Sequence, residues 1–138
     1  MKVVGDERVT KEELIEYWVS SSDRDFKTME NLVKSEDYLW ALFIGHLVVE
    51  KLLKAYYVKM VADNPPWIHQ LLRLAEKTGL SLTEEQKDAL LLITTFNINV
   101  RYPDYKHEFS KKCTKEYTET NVGKIRELRL WLKKQIQA

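Results

Sequence analysis

The chain has a single cysteine, Cys113, in 138 residues, so no internal disulfide can staple it. A lone cysteine suits a reducing compartment. The four glycines are scattered, which excludes a glycine-rich phosphate loop. One cysteine and three well-separated histidines make no zinc ligand set, and no metal or cofactor is expected. No apolar run approaches the roughly 18 residues of a membrane span. The first residues, MKVVGDERVTKEEL, lack the long apolar region and cleavage pattern of a signal peptide. The expectation is a soluble, cytoplasmic protein with no membrane partner. Charge of one sign is also lacking, since 22 Lys and Arg face 21 Asp and Glu. That balance hides an asymmetry. Residues 1–100 carry 12 basic and 16 acidic side chains, whereas residues 101–138 carry 10 and 5. The basic C-terminal part either meets a polyanion or packs against acidic neighbours of its own fold.

A chain of this length reads as one domain spanning 1–138, with a core over about 11–136. A domain near this size buries roughly two-thirds of its unfolded surface, enough for a core without staples. The organising stretch is Asp37 to Met60, DYLWALFIGHLVVEKLLKAYYVKM, which contains no proline and is apolar on nearly every side. It reads as a helix enclosed by other helices. One polar row breaks the pattern: His46, Glu50 and Lys54 recur every fourth residue and share a face, with Lys51 beside them. Charge on a buried helix needs partners or water. The row is either a satisfied polar seam or the border of a cleft or subunit interface.

The remaining elements follow in order. Thr10 to Glu13 matches a capping box. One long helix is expected from about Lys11 to Lys34, running through the polar cluster Ser20-Ser21-Ser22-Asp23 because the apolar phase is nearly kept across it. Asp63-Asn64-Pro65-Pro66 stops the central helix. A short helix over Trp67–Lys77 ends at Gly79. Ser81 to Glu84 matches a second capping box before a helix from Thr83 to Asn97. Pro103 interrupts the chain, and the segment from Asn97 to Ser110 reads as a turn. A last helix runs from about Thr114 to Gln135. No strand pattern, repeat or low-complexity segment appears. The fold class is all-α, an up-and-down bundle of three long and two shorter helices.

Chemistry concentrates at Arg101 and His107, with five residues between them. An arginine can hold phosphate through two parallel hydrogen bonds. A histidine of near-neutral pKa can move a proton. Together they are the groups needed to cleave an RNA phosphodiester without metal, the histidine serving the ribose 2′-hydroxyl or the leaving oxygen and the arginine the charged phosphorus centre. Asp104 could orient either group, or pair with Arg101 in a purely structural role. Lys106, Lys111 and Lys112 could hold an RNA backbone. Cys113 reads as an ordinary thiol. His69, after Pro-Pro-Trp-Ile, reads as a loop anchor or cap rather than a catalyst.

Three segments, in this order, resemble the HEPN domain family (higher eukaryotes and prokaryotes nucleotide-binding). They are Gly45-His46-Leu47-Val48-Val49-Glu50-Lys51-Leu52-Leu53-Lys54-Ala55, then Pro66-Trp67-Ile68-His69-Gln70-Leu71-Leu72, then Arg101-Tyr102-Pro103-Asp104. The resemblance implies a helical bundle, usually a homodimer with a cleft between protomers. It also implies metal-independent ribonuclease activity in many members, through an arginine, four to six residues, then a histidine. Arg101 and His107 meet that spacing. Small members often stand beside a minimal nucleotidyltransferase as toxin and antitoxin. In some pairs the partner adds AMP to a tyrosine two residues after the histidine, where this chain has Phe109. The residue after the arginine is often polar in the nucleases and is Tyr102 here, while members with the Arg-Tyr-Pro-Asp turn have been proposed to bind nucleotides. The expected function is therefore binding of nucleotide or RNA phosphate in a dimer cleft, with Arg101, Tyr102, Asp104, Lys106, His46, Glu50, Lys51 and Lys54 around it. The alternatives are a metal-independent endoribonuclease using Arg101 and His107, and a non-catalytic dimeric adaptor.

Overall fold

The computed structural model describes residues 9–138. The reading that the chain starts without a signal peptide rests largely on residues 1–8 and lies outside them. Among the described residues there are six α-helices and no strand: α1 Lys11–Lys34, α2 Tyr38–Met60, α3 Leu71–Thr78, α4 Glu84–Arg101, α5 Pro103–Lys112 and α6 Lys115–Gln137. None is long and apolar enough to cross a membrane.

Helix α2 is the axis, and all five other helices pack on it. This is why its apolar residues run all the way round. Ala41, Leu42, Val48, Val49, Leu52, Leu53, Ala55 and Val58 are buried on its different sides. Helix α1 lies along it after a tight link. Glu36 takes a left-handed φ of 63°, and the N–H groups of Glu36 and Asp37 return to the Val33 and Leu32 carbonyls. That pattern closes a helix end and reverses the chain within three residues. Helix α6 packs on α2 next to α1, and the three meet at Gly45. A Cβ there would collide with Ile125 Cδ1 and come within 3.2 Å of Met29 Sδ, so glycine lets α1 and α6 close on α2.

The polar cluster in α1 does not break the helix because its side chains are occupied elsewhere. Ser22 is buried and donates to the Val48 carbonyl of α2 at 2.7 Å. Ser21 accepts from Lys51, whose ammonium also pairs with Asp25 at 2.6 Å. Asp23 pairs with Arg129 and Lys133 of α6, and Glu30 takes Arg126 through two bonds of 2.6 and 3.0 Å. Much of the C-terminal basic excess is thus spent on the acidic face of α1. Of the two readings of that asymmetry, packing against acidic neighbours holds for these three residues.

Three boundaries differ from the sequence reading. The second capping box sits two residues later, with Thr83 as the cap and Gln86 reaching back. The short helix starts at Leu71 rather than Trp67, leaving His69 in an extended lead-in whose carbonyl faces α2. The segment from Asn97 to Ser110 is not a long turn, since α4 runs on to Arg101. Tyr102 alone is extended, and Pro103 occupies the first turn of a sixth helix, α5. Proline there loses no hydrogen bond, because the first N–H groups of a helix have no internal partner. The same residue therefore ends α4 and starts α5.

Candidate functional site

The polar row of α2 extends beyond α2. His46 is fully buried, and its Nε2 lies 3.1 Å from the His69 carbonyl. A carbonyl only accepts, so Nε2 carries the proton and Nδ1 is left to accept. Asn97 of α4 faces that atom, Nδ2 to Nδ1, at 3.4 Å. The other end of the same amide, Oδ1, accepts from Arg101 Nε at 2.9 Å. Four residues thus form one directed series: Arg101 donates to Asn97, Asn97 to His46, and His46 to the backbone of the α3 lead-in. A buried amide pinned at both ends fixes where the guanidinium stands.

Glu50, one turn along α2 from His46, is 5 % exposed. Its Oε1 accepts from His69 Nδ1 at 3.2 Å, and its Oε2 holds Lys54 at 3.1 Å. Lys54 in turn lies over the rings of Trp18 and Trp67, 5.1 and 6.0 Å from their centroids. His46 Nε2 stands 3.9 Å from Glu50 Oε1. His46, Glu50 and Lys54 therefore join Arg101 in one network through Asn97 and His69, two residues the row alone did not indicate. Asn97 lies one helical turn before Arg101, a spacing legible in advance; His69 had no such signal. Lys51 faces the other way, to Asp25 and Ser21.

Burial pushes the His46 imidazole below its ordinary value of 6.5. The His69 carbonyl and the Glu50 charge oppose this, while His69 and Arg101 add to it. A proton on Nδ1 would also set two donors, that N–H and the Asn97 amide, against each other. The unfolded chain then binds the extra proton more readily than the fold does, so stability rises with pH across the window below 6.5. Stability should be level above that value and fall as the pH drops through it, by at most about 1.4 kcal/mol per pH unit. Urea midpoints between pH 8 and pH 5 measure this. His46→Gln should flatten that part of the profile; an unchanged slope would rule His46 out as its source.

Arg101 and His107 do not share a hollow in this chain. Arg101 lines a small cavity of about 140 Å³ together with His69, Gln70, Thr94, Asn97 and Ile98. His107 lines another of about 580 Å³ with Lys106, Pro103 and Ser110 from α5, against Glu36, Asp37 and Trp40. The Lys106 ammonium sits over the Trp40 ring at 4.7 Å. Asp104 lies in the first turn of α5, exposed, and does not pair with Arg101. Among the described residues no carboxylate pairs with Arg101. Tyr102 and Tyr105 are exposed and meet edge to face at 5.8 Å. A third hollow, about 670 Å³, lies between α4 and α6 and carries Glu85, Asp88 and Glu127 against one Lys124. Its negative balance disfavours a phosphate. Burial lifts the Cys113 thiol to about 11, so it stays protonated and behaves as an ordinary core residue. Phe109, two residues after His107, is 3 % exposed and stacks on Phe96 at 5.6 Å, inside the core.

The comparisons agree with this architecture. The crystal structure of TT1696 from Thermus thermophilus superposes with a TM-score of 0.74 at 18 % identity, covering 88 % of this chain and 97 % of that one. At that identity it speaks for the fold alone. No curated protein matched. The profile of the HEPN domain matches residues 15–135, nearly the whole chain, and the protein belongs to the HEPN domain family.

Proposed function

We propose that this HEPN protein binds the phosphate of a nucleotide or RNA through Arg101. One observation carries the reading. The guanidinium is held by a neutral amide, Asn97 Oδ1, and no carboxylate among the described residues neutralises it. An arginine kept in place without an acid partner retains its full charge and its outer N–H pair for an anion. The exposed rings of Tyr102 and Tyr105, which follow it closely in the chain, offer faces on which bases stack. The protein acts as a homodimer in the cytoplasm, as the phosphate-binding half of a pair with a nucleotidyltransferase.

Titration of a short fluorescent RNA and of ATP into wild type and Arg101→Ala tests this. A charge-assisted contact of this kind is worth about 1.5–3 kcal/mol, so affinity should fall roughly ten- to a hundredfold. Thermal melts should move little, because the residue is exposed. Equal affinity in the two proteins would sink the proposal. A lowered melting temperature without loss of affinity would favour the adaptor reading instead.

A second reading is metal-independent RNA cleavage by Arg101 and His107. The two groups line separate hollows in one protomer. The pair could therefore cooperate only across a dimer, the arginine of one copy beside the imidazole of the other. Cleavage of RNA in the presence of a chelator, lost in His107→Ala, would support it.

A further inference from the structure

We infer that the cavity between the α3 lead-in and the end of α4 takes a terminal phosphate, with His69 as its second arm in the same protomer. This rests on Arg101 binding phosphate and names the class of phosphate and the partner residue. The ligand is a ribonucleotide bearing a phosphomonoester, either free or at the end of an RNA, rather than an internal phosphodiester.

Three observations lead here. First, His69 and Arg101 line the same cavity, whereas His107 lines another. Second, His69 is oriented for work on its far side. The Glu50 carboxylate accepts from Nδ1, which fixes the ring, and Nε2 has no protein partner among the described residues. The side chain is 51 % exposed, so a ligand can reach it. A histidine aimed by a buried carboxylate on one nitrogen presents the other in a set direction. Third, both arms are anchored to one polar network. The His69 carbonyl accepts from His46, and His46 connects through Asn97 to Arg101. The network holds the imidazole and the guanidinium at the lining of one hollow, where both can reach one anion.

The size of the cavity selects the class. About 140 Å³ is room for a phosphoryl group, and the hollow opens to solvent, where an attached nucleoside would lie. Its inner lining is the buried Thr94 and Asn97, both already committed, Thr94 between the Leu90 carbonyl and the Leu71 N–H. An internal phosphodiester must lead the chain in and out past this lining. A monoester enters with three free oxygens and leaves one ester bond pointing outward. It also carries up to two charges for Arg101 where a diester carries one, and in its singly protonated form it has a P–OH that can donate to His69 Nε2, left as an acceptor by the Nδ1–H bond to Glu50.

The test compares one oligoribonucleotide with a 5′-phosphate and with a 5′-hydroxyl, and separately AMP with adenosine. Each is titrated into wild type, Arg101→Ala, His69→Asn and His107→Ala. In His69→Asn the amide can still donate to Glu50 but does not extend to the Nε2 position, so the fold is kept and one arm is removed. Wild type should prefer the phosphorylated member of each pair tenfold or more. His69→Asn and Arg101→Ala should abolish the preference, and His107→Ala should keep it. A preference for phosphorylated RNA without one for AMP assigns the site to RNA ends; the reverse assigns it to free nucleotides. Equal binding of both RNA ends together with no preference for AMP, or a full preference in His69→Asn, overturns the inference. If RNA binding then remains sensitive to Arg101, only this inference has failed. If nothing binds wild type, the reading of Arg101 has failed with it.

Discussion

Glu50→Leu is expected to cost the fold about 4 kcal/mol, the range for removing one partner of a buried ion pair. The carboxylate is 5 % exposed and serves three groups: it holds Lys54 at 3.1 Å, it accepts from His69, and it lies 3.9 Å from His46. Leucine fills the space but leaves the Lys54 ammonium, whose side chain is 12 % exposed, with only the Trp18 and Trp67 rings for company. An aromatic face offsets about 0.5–2 kcal/mol of that charge and cannot replace the carboxylate. His69 is half exposed, so water can take over its bond. The loss therefore comes mainly from the stranded lysine.

A double mutant separates this cause from lost packing. Replacing a buried ion pair by apolar groups of similar volume is often close to neutral. Glu50→Leu with Lys54→Met should therefore lie within about 2 kcal/mol of wild type, well above Glu50→Leu alone. Urea midpoints at pH 7.5 give all four corners of the cycle. Additive losses would mean that the two side chains pack independently and that the polar row is not a coupled unit. The single variant should also lose the preference for phosphorylated ligands, because the ring of His69 is no longer fixed.

The enclosed character of α2 could be read in advance, because apolar residues occupy nearly all its sides and no surface helix does that. The continuity of α1 could be read too, from the apolar phase on either side of Ser20 to Asp23. Where that serine cluster sends its hydrogen bonds could not, since Val48 and Lys51 belong to another helix. The same holds for the basic C-terminal part. Its partners Asp23 and Glu30 lie about a hundred residues away in the chain, and a charge count carries no distance. At the candidate site Arg101 was visible as an anion-binding group, and His46, Glu50 and Lys54 as a row one turn apart. What joins them is Asn97 and the backbone of His69. An asparagine in a helix and a histidine after two prolines are ambiguous until the helices are docked. Helix α5 was missed for a simpler reason. Its ten residues bury one side chain, Phe109, and a single apolar position has no period.

That one side chain sets the last expectation. Phe109→Ala should cost about 3–5 kcal/mol, the usual loss for a buried phenylalanine. Phe109 is 3 % exposed and stacks on Phe96, which is fully buried and also meets Tyr117 edge to face at 6.5 Å. A helix of ten residues is too short to hold itself together in water, so α5 depends on this docking. The loss should be local before it is global. Hydrogen exchange at the α5 amides should speed up by far more than at α2, while Phe109→Leu, which nearly keeps the volume, should cost less than about 1.5 kcal/mol. Uniform acceleration across all helices would show instead that α5 unfolds only with the rest. The variant also divides the two readings of the site. His107 and Lys106 are carried on α5, whereas Arg101, Asn97 and His69 are held by α4, α2 and the α3 lead-in. Phosphate binding that survives the loosening of α5 belongs to the second group. Binding that disappears with it depends on the groups α5 carries, His107, Lys106 or Tyr105.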